Sequence, residues 1–387
     1  MRFIHTADWQ IGKPFGSIED EEVRLTLRRQ RIESVDAIAE AARKHGASFV
    51  AVAGDLFDSN TPDKSTVSQL CAAVGQIPVP VLVIPGNHDD GGPGSIYSRS
   101  FFQEQQKRHA PNMNILMEPA PFEIDDAVIL PAPCLFGSKQ ANPLRWLSGQ
   151  GIWDGLSSRK PRIILAHGSV TGFNESEFSS EHVIDLDIVD FDRVDFVALG
   201  DWHGTKKISD KCWYSGTHEP DRFPRGEGYS AGNVLLVEVE RGGTPSVTPI
   251  ETGRFFWHRL ALHVGDKADV ELLQGLISRC TSNRVGRDLV RLELTGTVSL
   301  SVGAYLEKVL ETIGSELLYL RLRNKLQIIP DDEELQKLIH GSDPLIGRVA
   351  KRLTEQLAMP EQEDEREVSE ALRLLYHACY GGGNTCA

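Results

Sequence analysis

Residues 2–10 of the chain are RFIHTADWQ, a short β-type run that ends in polar side chains. The same arrangement follows twice, as FVAVAGDLFD at residues 49–58 and as VLVIPGNHD at residues 81–89. In each case a strand delivers acidic or amide side chains, and in the last two runs a glycine lies beside them, where the backbone can turn sharply. Because the carboxyl ends of parallel strands gather at one edge of an open sheet, these segments predict a shared site there.

Two later segments end in the same way. Arg162–Ala166 precedes His167, and Phe196–Leu199 precedes Asp201 and His203. One aspartate after a strand is more often a turn or a helix cap, and one histidine is more often a core residue. Five successive strand ends that carry metal-ligand types instead favour a single metal site.

The order of elements predicts an α/β (α+β) fold. We expect a two-layered β-sandwich core flanked by helices, followed by a small α/β capping domain and a C-terminal helical segment. The boundaries are expected at residues 1–252, 253–328 and 329–387, where the hydrophobic pattern and the charge balance change.

Several helices are predicted within these domains. Apolar periodicity indicates one helix over Glu19–His45 and another over Pro62–Val74, for which Thr61 is the expected N-cap. The last domain is expected to hold two helices, Glu333–Leu357 and Glu365–Tyr380, each with an apolar stripe.

Composition limits the class of protein. The 387 residues carry a formal net charge of −14, and 40% are hydrophobic while 25% are charged. This balance is typical of an ordinary globular protein. Binding of nucleic acid by electrostatics alone would need a basic surface, so the acidity counts against it. A metal site built from carboxylates would account for part of the acidity.

The cysteine pattern indicates the compartment. The six cysteines are scattered and no C-x-x-C pair occurs, which argues against a disulfide framework and a cysteine zinc site. No apolar run approaches the roughly 18 residues that a membrane helix needs. Asp8 comes too early for the apolar region of a signal peptide. We therefore expect a cytoplasmic protein.

The motifs also carry a resemblance. G-D-x-x-D at residues 54–58, G-N-H-D at 86–89 and the later histidines resemble the calcineurin-like metallophosphoesterase family. More closely, RFIHTADWQIGKPF, AGDLFD and IPGNHD resemble the SbcD-type nuclease subunits of bacterial DNA double-strand break repair. The resemblance covers about residues 1–250, and beyond residue 255 it rests on domain order alone.

The resemblance implies a pair of divalent ions and assigns their ligands. Asp55 would bridge the two ions, since a carboxylate has two oxygens to share. Asp8 and His203 would hold the first ion, and Asn87 and His167 would hold the second.

The resemblance makes His88 the catalytic residue. His88 follows Asn87 and would face the phosphate. It would protonate or stabilise the leaving oxygen. The chemistry agrees with this expectation, because a phosphodiester is an anion that repels hydroxide, and two cations neutralise it while activating water.

Three positions depart from the family pattern, which usually has histidines there: Gln10, Asp58 and Asp201. Gln10 can ligate through its amide oxygen and Asp201 through its carboxylate, and both changes favour Mn²⁺, with Mg²⁺ as the alternative, over zinc. The other interpretation is that Gln10 and Asp201 only hydrogen-bond around the site, which would leave one ion weak or absent. Asp58 is expected to orient His88 or a water.

The function that the resemblance implies is a DNA exonuclease, with single-strand endonuclease activity, that acts in DNA repair. The expected partners are DNA, a second copy of the chain, and an SMC/ABC-type coiled-coil ATPase (SbcC-like) docked on the tail helices. The chain itself has no G-x-x-x-x-G-K-[ST] motif for ATP. The tail helices could instead pack on the protein's own core.

Two other functions stay open at this stage: a small-molecule phosphodiesterase or phosphatase, and a DNA-end-binding subunit whose altered site cleaves weakly. Four residues are further candidates for contact with DNA. These candidates are His218, Arg284, Arg287 and Arg291. The alternative for His218 is an ordinary turn, and the alternative for the three arginines is solvated surface charge.

Overall fold

The structure is a computed structural model that describes residues 1–135, 142–149, 151–172, 182–224, 226, 228–357 and 365–381. The chain divides into two compact units, Met1–Phe255 and Phe256–Ala387. No helix in the described ranges has both the length and the apolar character needed to cross a membrane.

The first unit is built from short strands and four helices in its described part. The strands are β1 (Arg2–Thr6), β2 (Val50–Ala53), β3 (Val81–Ile84), β4 (Met113–Ile115), β5 (Phe122–Glu123), β6 (Val128–Ala132), β7 (Arg162–His167), β8 (Ser169–Val170), β9 (Val183–Ile184), β10 (Phe196–Gly200), β11 (Lys206–Ser209), β12 (Cys212–Tyr214), β13 (Asn233–Glu238) and β14 (Ser246–Glu251). The helices are α1 (Glu21–Glu33), α2 (Val35–His45), α3 (Lys64–Val74) and α4 (Ser100–His109).

Twelve of these strands form two six-stranded sheets, and β8 pairs with β9 in a separate two-stranded sheet. The first has the order β14-β13-β1-β2-β3-β4, in which β1 to β4 run parallel and β13 pairs antiparallel with both neighbours. The second has the order β11-β12-β10-β7-β6-β5, in which β12, β10, β7 and β6 run parallel. In both sheets the parallel strands carry the predicted site residues at their carboxyl ends.

The two sheets face each other across a dry apolar core. Phe3 stacks on Phe49 with ring centroids 4.8 Å apart, and it meets Phe196 of the second sheet edge-on at 5.8 Å. Apolar side chains from both sheets fill the rest of this layer. Residues of α2, α3 and α4 cover the other face of the first sheet. The fold class predicted from the sequence, a two-layered sandwich flanked by helices, is confirmed.

Two details of the predicted helices are wrong. The helix expected over Glu19–His45 is two helices, because at Ser34 the hydrogen-bond pattern tightens and Ala37 N donates to Ser34 O three residues back. The third helix begins later than predicted. Asp63, not Thr61, caps it, since the Asp63 carboxylate accepts from Thr66 N at 2.8 Å.

The second unit starts with a parallel three-stranded sheet in the order β15 (Phe256–His263), β16 (Asp288–Val298), β17 (Tyr319–Ile328). α5 (Lys267–Thr281) connects the first two strands and α6 (Leu300–Glu316) the last two. Their apolar faces share one core.

The described tail of the second unit holds three helices, α7 (Asp332–Ile339), α8 (Pro344–Leu357) and α9 (Glu365–Tyr376). The single helix predicted over Glu333–Leu357 is therefore wrong, because Gly341 and Pro344 interrupt it. Leu338 and Leu372 pack together with Leu300 of α6, so part of the apolar stripe is used within the unit.

Tyr214 ties the second sheet to the segment after His167. Its hydroxyl donates to Gly168 O at 2.8 Å and accepts from Val170 N at 3.0 Å. Tyr214→Phe leaves both buried backbone groups without this partner, so we expect the free energy of unfolding to fall by about 1–3 kcal/mol. Urea denaturation measures the change, and a loss below about 0.5 kcal/mol would contradict the structural role.

Candidate metal centre

Three buried side chains converge where the two sheets end. Asp8 follows β1, Asp55 follows β2, and His167 is the last residue of β7. One ligand atom from each lies within 4.8 Å of the other two, and all three residues are buried. Two of the elements belong to the first sheet and one to the second, so only the closed sandwich assembles the cluster.

The backbone at this edge is strained. Asp8 (φ 54°), Gln10 (φ 40°), Asp55 (φ 55°) and Asp201 (φ 99°) all have positive φ angles, which non-glycine residues rarely adopt. Such conformations cost about 1–3 kcal/mol each and persist where the surroundings fix them, often at functional sites. The clustering of four acidic or amide residues in this state therefore marks the edge as a site.

Two glycines allow the close approach of these side chains. At Gly54 (φ +87°) an added Cβ would lie 2.3 Å from the His167 Nδ1 atom. At Gly86 it would lie 2.1 Å from an Asp55 carboxylate oxygen. Neither contact can be relieved cheaply, because the ring and the carboxylate are buried. The glycines in G-D and G-N-H are thus required by the packing of the ligands.

His167 is the positively polarised centre of the cluster. Its Nδ1–H donates to Ala53 O at 2.8 Å, while Nε2 lies 2.8 Å from Asn87 Oδ1 and 3.5 Å from Asp55 Oδ1. Burial alone would lower the pKa of His167, but the neighbouring carboxylates, Asp55 foremost, raise it to about 9. Oxygens that converge on one imidazole nitrogen need a shared proton or a cation.

The pKa values of the two carboxylates shift in opposite directions. Burial raises the pKa of Asp8 to about 8, with further contributions from Asp55 and Asp201 against the opposing effect of His167. Burial also acts to raise the pKa of Asp55, but His167 and His88 outweigh it and the pKa is lowered. A divalent cation would neutralise this set, and carboxylate, amide and imidazole donors fit Mn²⁺ or Mg²⁺. The residues present therefore fit a metal ion.

Asp201 lies at the same edge. Its backbone N–H donates to both carboxylate oxygens of Asp8, at 3.1 and 3.2 Å, and its Oδ1 lies 4.0 Å from His167 Nε2. Asp201 is thus close to the cluster, in agreement with a carboxylate ligand at this position. Burial raises the pKa of Asp201, with a smaller contribution from Asp55 and against the opposing effect of His167.

Gln10 and His203 are near the cluster but turned toward other partners. Gln10 Nε2 donates to Asp55 Oδ2 at 3.2 Å, and its Oε1 accepts from Lys13 Nζ at 2.6 Å. His203 Nδ1 lies 2.9 Å from a carboxylate oxygen of Asp221. Burial, together with Arg222, lowers the pKa of His203 to about 4 despite Asp221, so its imidazole is neutral.

His88 stands at the solvent side of the cluster. Its side chain is 39% exposed, and Nε2 lies 3.9 Å from Asp55 Oδ2. Its Nδ1 contacts the main-chain carbonyl of Asp58 at 2.8 Å. Asp58 therefore orients His88 through its backbone, while its own carboxylate lies 3.7 Å from Lys13 Nζ.

The residues predicted to contact DNA are placed differently. His218 is fully buried, with Nε2 bonded to Arg31 O at 2.9 Å and its ring against Trp9, so the expected contact with DNA is wrong. Arg284 pairs with Asp288 at 2.8 Å and lies over the Phe256 ring.

The other two arginines remain available. Arg287 is exposed and Arg291 is half-buried, both in the second unit.

Sequence reasoning missed the groups that support the site. Asp89 is fully buried and accepts from Gly86 N, Phe57 N and the Tyr97 hydroxyl, which holds the G-N-H turn in place. Arg31 is also buried, and its guanidinium donates to the main-chain carbonyls of Asp8 and Trp9. The only sequence signal for Arg31 was a cation on the apolar side of a helix.

Comparison with known proteins agrees with this geometry. A family model described as calcineurin-like phosphoesterase matches residues 1–205, more than half of the chain. The chain belongs to the calcineurin-like phosphoesterase family. A solved crystal structure matches 65% of this chain and 98% of its own at 9% identity and a TM-score of 0.41, values at which the likeness carries no conclusion.

Membership of the calcineurin-like phosphoesterase family indicates a metal-dependent hydrolase of phosphoester bonds. The cluster of Asp8, Asp55 and His167 lies within the matched residues. When bound, the metal ions of such a site neutralise the phosphate and activate water. Residues 206–255 of the first unit and the whole second unit lie beyond the match.

Gly54→Ala tests whether the glycine is required for the metal centre of this phosphoesterase. The new methyl group would displace the His167 ring and strain the backbone, so we expect Mn²⁺ affinity to fall at least about tenfold. Isothermal titration calorimetry measures the affinity. Gly16→Ala is the matched control, because a Cβ there meets nothing within 4 Å. Equal Mn²⁺ affinities for the two variants would contradict the packing argument.

Proposed function

We propose that this protein is a metal-dependent DNA nuclease, an exonuclease with single-strand endonuclease activity. The observation that carries the proposal is the buried cluster of Asp8, Asp55 and His167 with the partly exposed His88 beside it. The close resemblance of residues 2–15, 53–58 and 84–89 to SbcD-type nuclease subunits supports DNA as the substrate.

The proposed roles follow from the contacts. Asp8, Asp55, Asn87 and His167 hold divalent metal, Mn²⁺ in first place and Mg²⁺ as the alternative, because most of the donors are oxygens. Ala53 O fixes the His167 tautomer through Nδ1, which leaves Nε2 directed at the cluster.

His88 has the role of the acid. Its Nδ1 is held by the Asp58 carbonyl, so Nε2 is directed toward the cluster and the approaching phosphate. We assign to Nε2 the hydrogen bond or proton that stabilises the leaving oxygen, an interaction stronger in the transition state than in the ground state.

The proposal includes DNA repair as the setting, the cytoplasm as the location, a homodimer and an SMC/ABC-type coiled-coil ATPase as partner. The tail helices support a docking role, since Leu345 (61% exposed), Val349 (42%) and Leu374 (55%) leave apolar surface uncovered in their unit. The scattered cysteines support a reducing compartment.

Asp55→Asn tests the proposal directly. With Mn²⁺, the wild-type protein should degrade a labelled DNA strand, and the variant should lose at least about a thousandfold in rate, since one charged ligand is gone from the cluster. Zn²⁺ should support less activity than Mn²⁺.

The control for this experiment is Asp126→Asn, a change of equal charge at an exposed loop aspartate of the same unit. Faster hydrolysis of bis(p-nitrophenyl) phosphate or a cyclic nucleotide than of DNA would favour a small-molecule phosphodiesterase. Binding of DNA without cleavage would favour an end-binding subunit.

His88→Ala separates catalysis from binding. Because the side chain is directed at the phosphate and is not part of the buried cluster, kcat should fall by about 10²–10⁴-fold while Mn²⁺ affinity and DNA affinity change little. Single-turnover kinetics and calorimetry give the three quantities. An unchanged kcat in the variant, or a loss of Mn²⁺ binding, would contradict the role assigned to His88.

A further inference from the structure

A lysine contacts the amide that replaces a histidine in the family pattern. Lys13 Nζ lies 2.6 Å from Gln10 Oε1, and the Gln10 amide nitrogen donates to Asp55 Oδ2. Exchanging the oxygen and nitrogen of this amide would set Nε2 against the ammonium and Oε1 against the carboxylate, two repulsive contacts. The orientation is therefore fixed, and the ligand oxygen of Gln10 is directed at a side-chain cation.

His203 also has a cationic side chain, that of Arg222, beside its ring nitrogens. His203 Nδ1 lies 2.9 Å from Asp221 Oδ2. Arg222 Nη2 lies 2.8 Å from Nδ1 and 3.2 Å from Nε2, so the guanidinium lies against the edge of the ring that carries both nitrogens. His203 is expected to hold the first ion with Asp8 and Asp55, Gln10 is a further candidate ligand, and each of the two faces a cation.

One buried carboxylate organises both cations. The Asp221 side chain is 0% exposed, and its oxygens lie 3.2 Å from Lys13 Nζ and 3.0 Å from Arg222 Nη2. Both cationic side chains are partly exposed, that of Lys13 by 19% and that of Arg222 by 31%. Two cationic groups that a buried carboxylate holds in place, and that are partly exposed, can bind an anion.

We propose that Lys13 and Arg222 form a fixed cation pair that takes the place of one of the two ions, so that the chain binds a single divalent ion and holds the substrate phosphate with these two side chains. Ammonium and guanidinium groups both bind phosphate oxygens, the guanidinium in a two-pronged geometry. The ion stays with Asp8, Asp55, Asn87 and His167. That the bound anion is a phosphodiester rests on the proposed function, whereas the number of bound metal ions does not depend on it.

Metal stoichiometry is the first test. Calorimetric titration of the chelator-treated full chain with Mn²⁺ should give one tightly bound ion per molecule. The triple variant Gln10→His, Lys13→Gln and Arg222→Gln restores a neutral nitrogen ligand at position 10 and removes both competing cations, so it should bind two ions. Two ions of comparable affinity in the wild type, or one ion in the triple variant, would overturn the proposal.

Binding of substrate is the second test. Lys13→Met should keep the single Mn²⁺ site but weaken binding of a DNA oligonucleotide, measured with Ca²⁺ in place of Mn²⁺, by about 10–100-fold. The slope of log affinity against log salt should fall by about 1. Lys44→Met, at an exposed lysine in the last turn of α2, is the matched control. If both variants bind DNA alike, Lys13 is not a phosphate ligand.

The outcomes separate this proposal from the nuclease proposal. A wild-type protein that cleaves no DNA yet binds one Mn²⁺ and depends on Lys13 for oligonucleotide affinity would fail as a nuclease and keep the cation pair. A protein that cleaves DNA with two bound ions would keep the nuclease function and lose the cation pair. Circular dichroism of each variant confirms that it is folded before either comparison.

Discussion

The crowding of carboxylates around one imidazole is the interaction on which the rest of this site depends. Asp8, Asp55 and Asp201 all lie near His167 in a region that is largely shielded from water. Buried charges of one sign repel each other strongly, so the arrangement needs bound protons or a cation to compensate them. Their position at the ends of strands from both sheets makes that requirement a property of the fold.

The surrounding structure shows how the crowding is maintained. Gly54 and Gly86 remove the side-chain atoms that would collide with His167 and Asp55. The positive φ angles of Asp8 and Asp55 direct their carboxylates inward, and the buried guanidinium of Arg31 holds the main chain at Asp8. Each feature costs stability by itself. Together they resemble the support shell of a metal site, which fixes the ligands before the metal arrives.

Two cationic side chains lie beside this negative centre. Lys13 and Arg222, joined by Asp221, sit beside the ligands rather than on the far surface. An overall charge of −14 therefore does not describe the field that a substrate would meet, because local cations decide the potential at short range. If the substrate phosphate binds these two side chains, as proposed above, an acidic protein can hold an anion without a large basic surface.

Much of this could be predicted from the sequence by itself. The two-layered fold follows from alternating β-rich and amphipathic segments. The strand ends pointed to Asp8, Asp55 and His167, because the carboxyl ends of parallel strands lie at one edge of a sheet. Only the tertiary structure decided the direction of each side chain. Gln10 turns its oxygen to Lys13, His203 meets Asp221 and Arg222, and His218 is buried against Trp9. Pattern and periodicity report local preferences, whereas the partners of His203 and His218 are distant in sequence and meet these rings only in the folded chain. Gln10 and Lys13 are close in sequence, but their spacing alone does not fix which way the amide points.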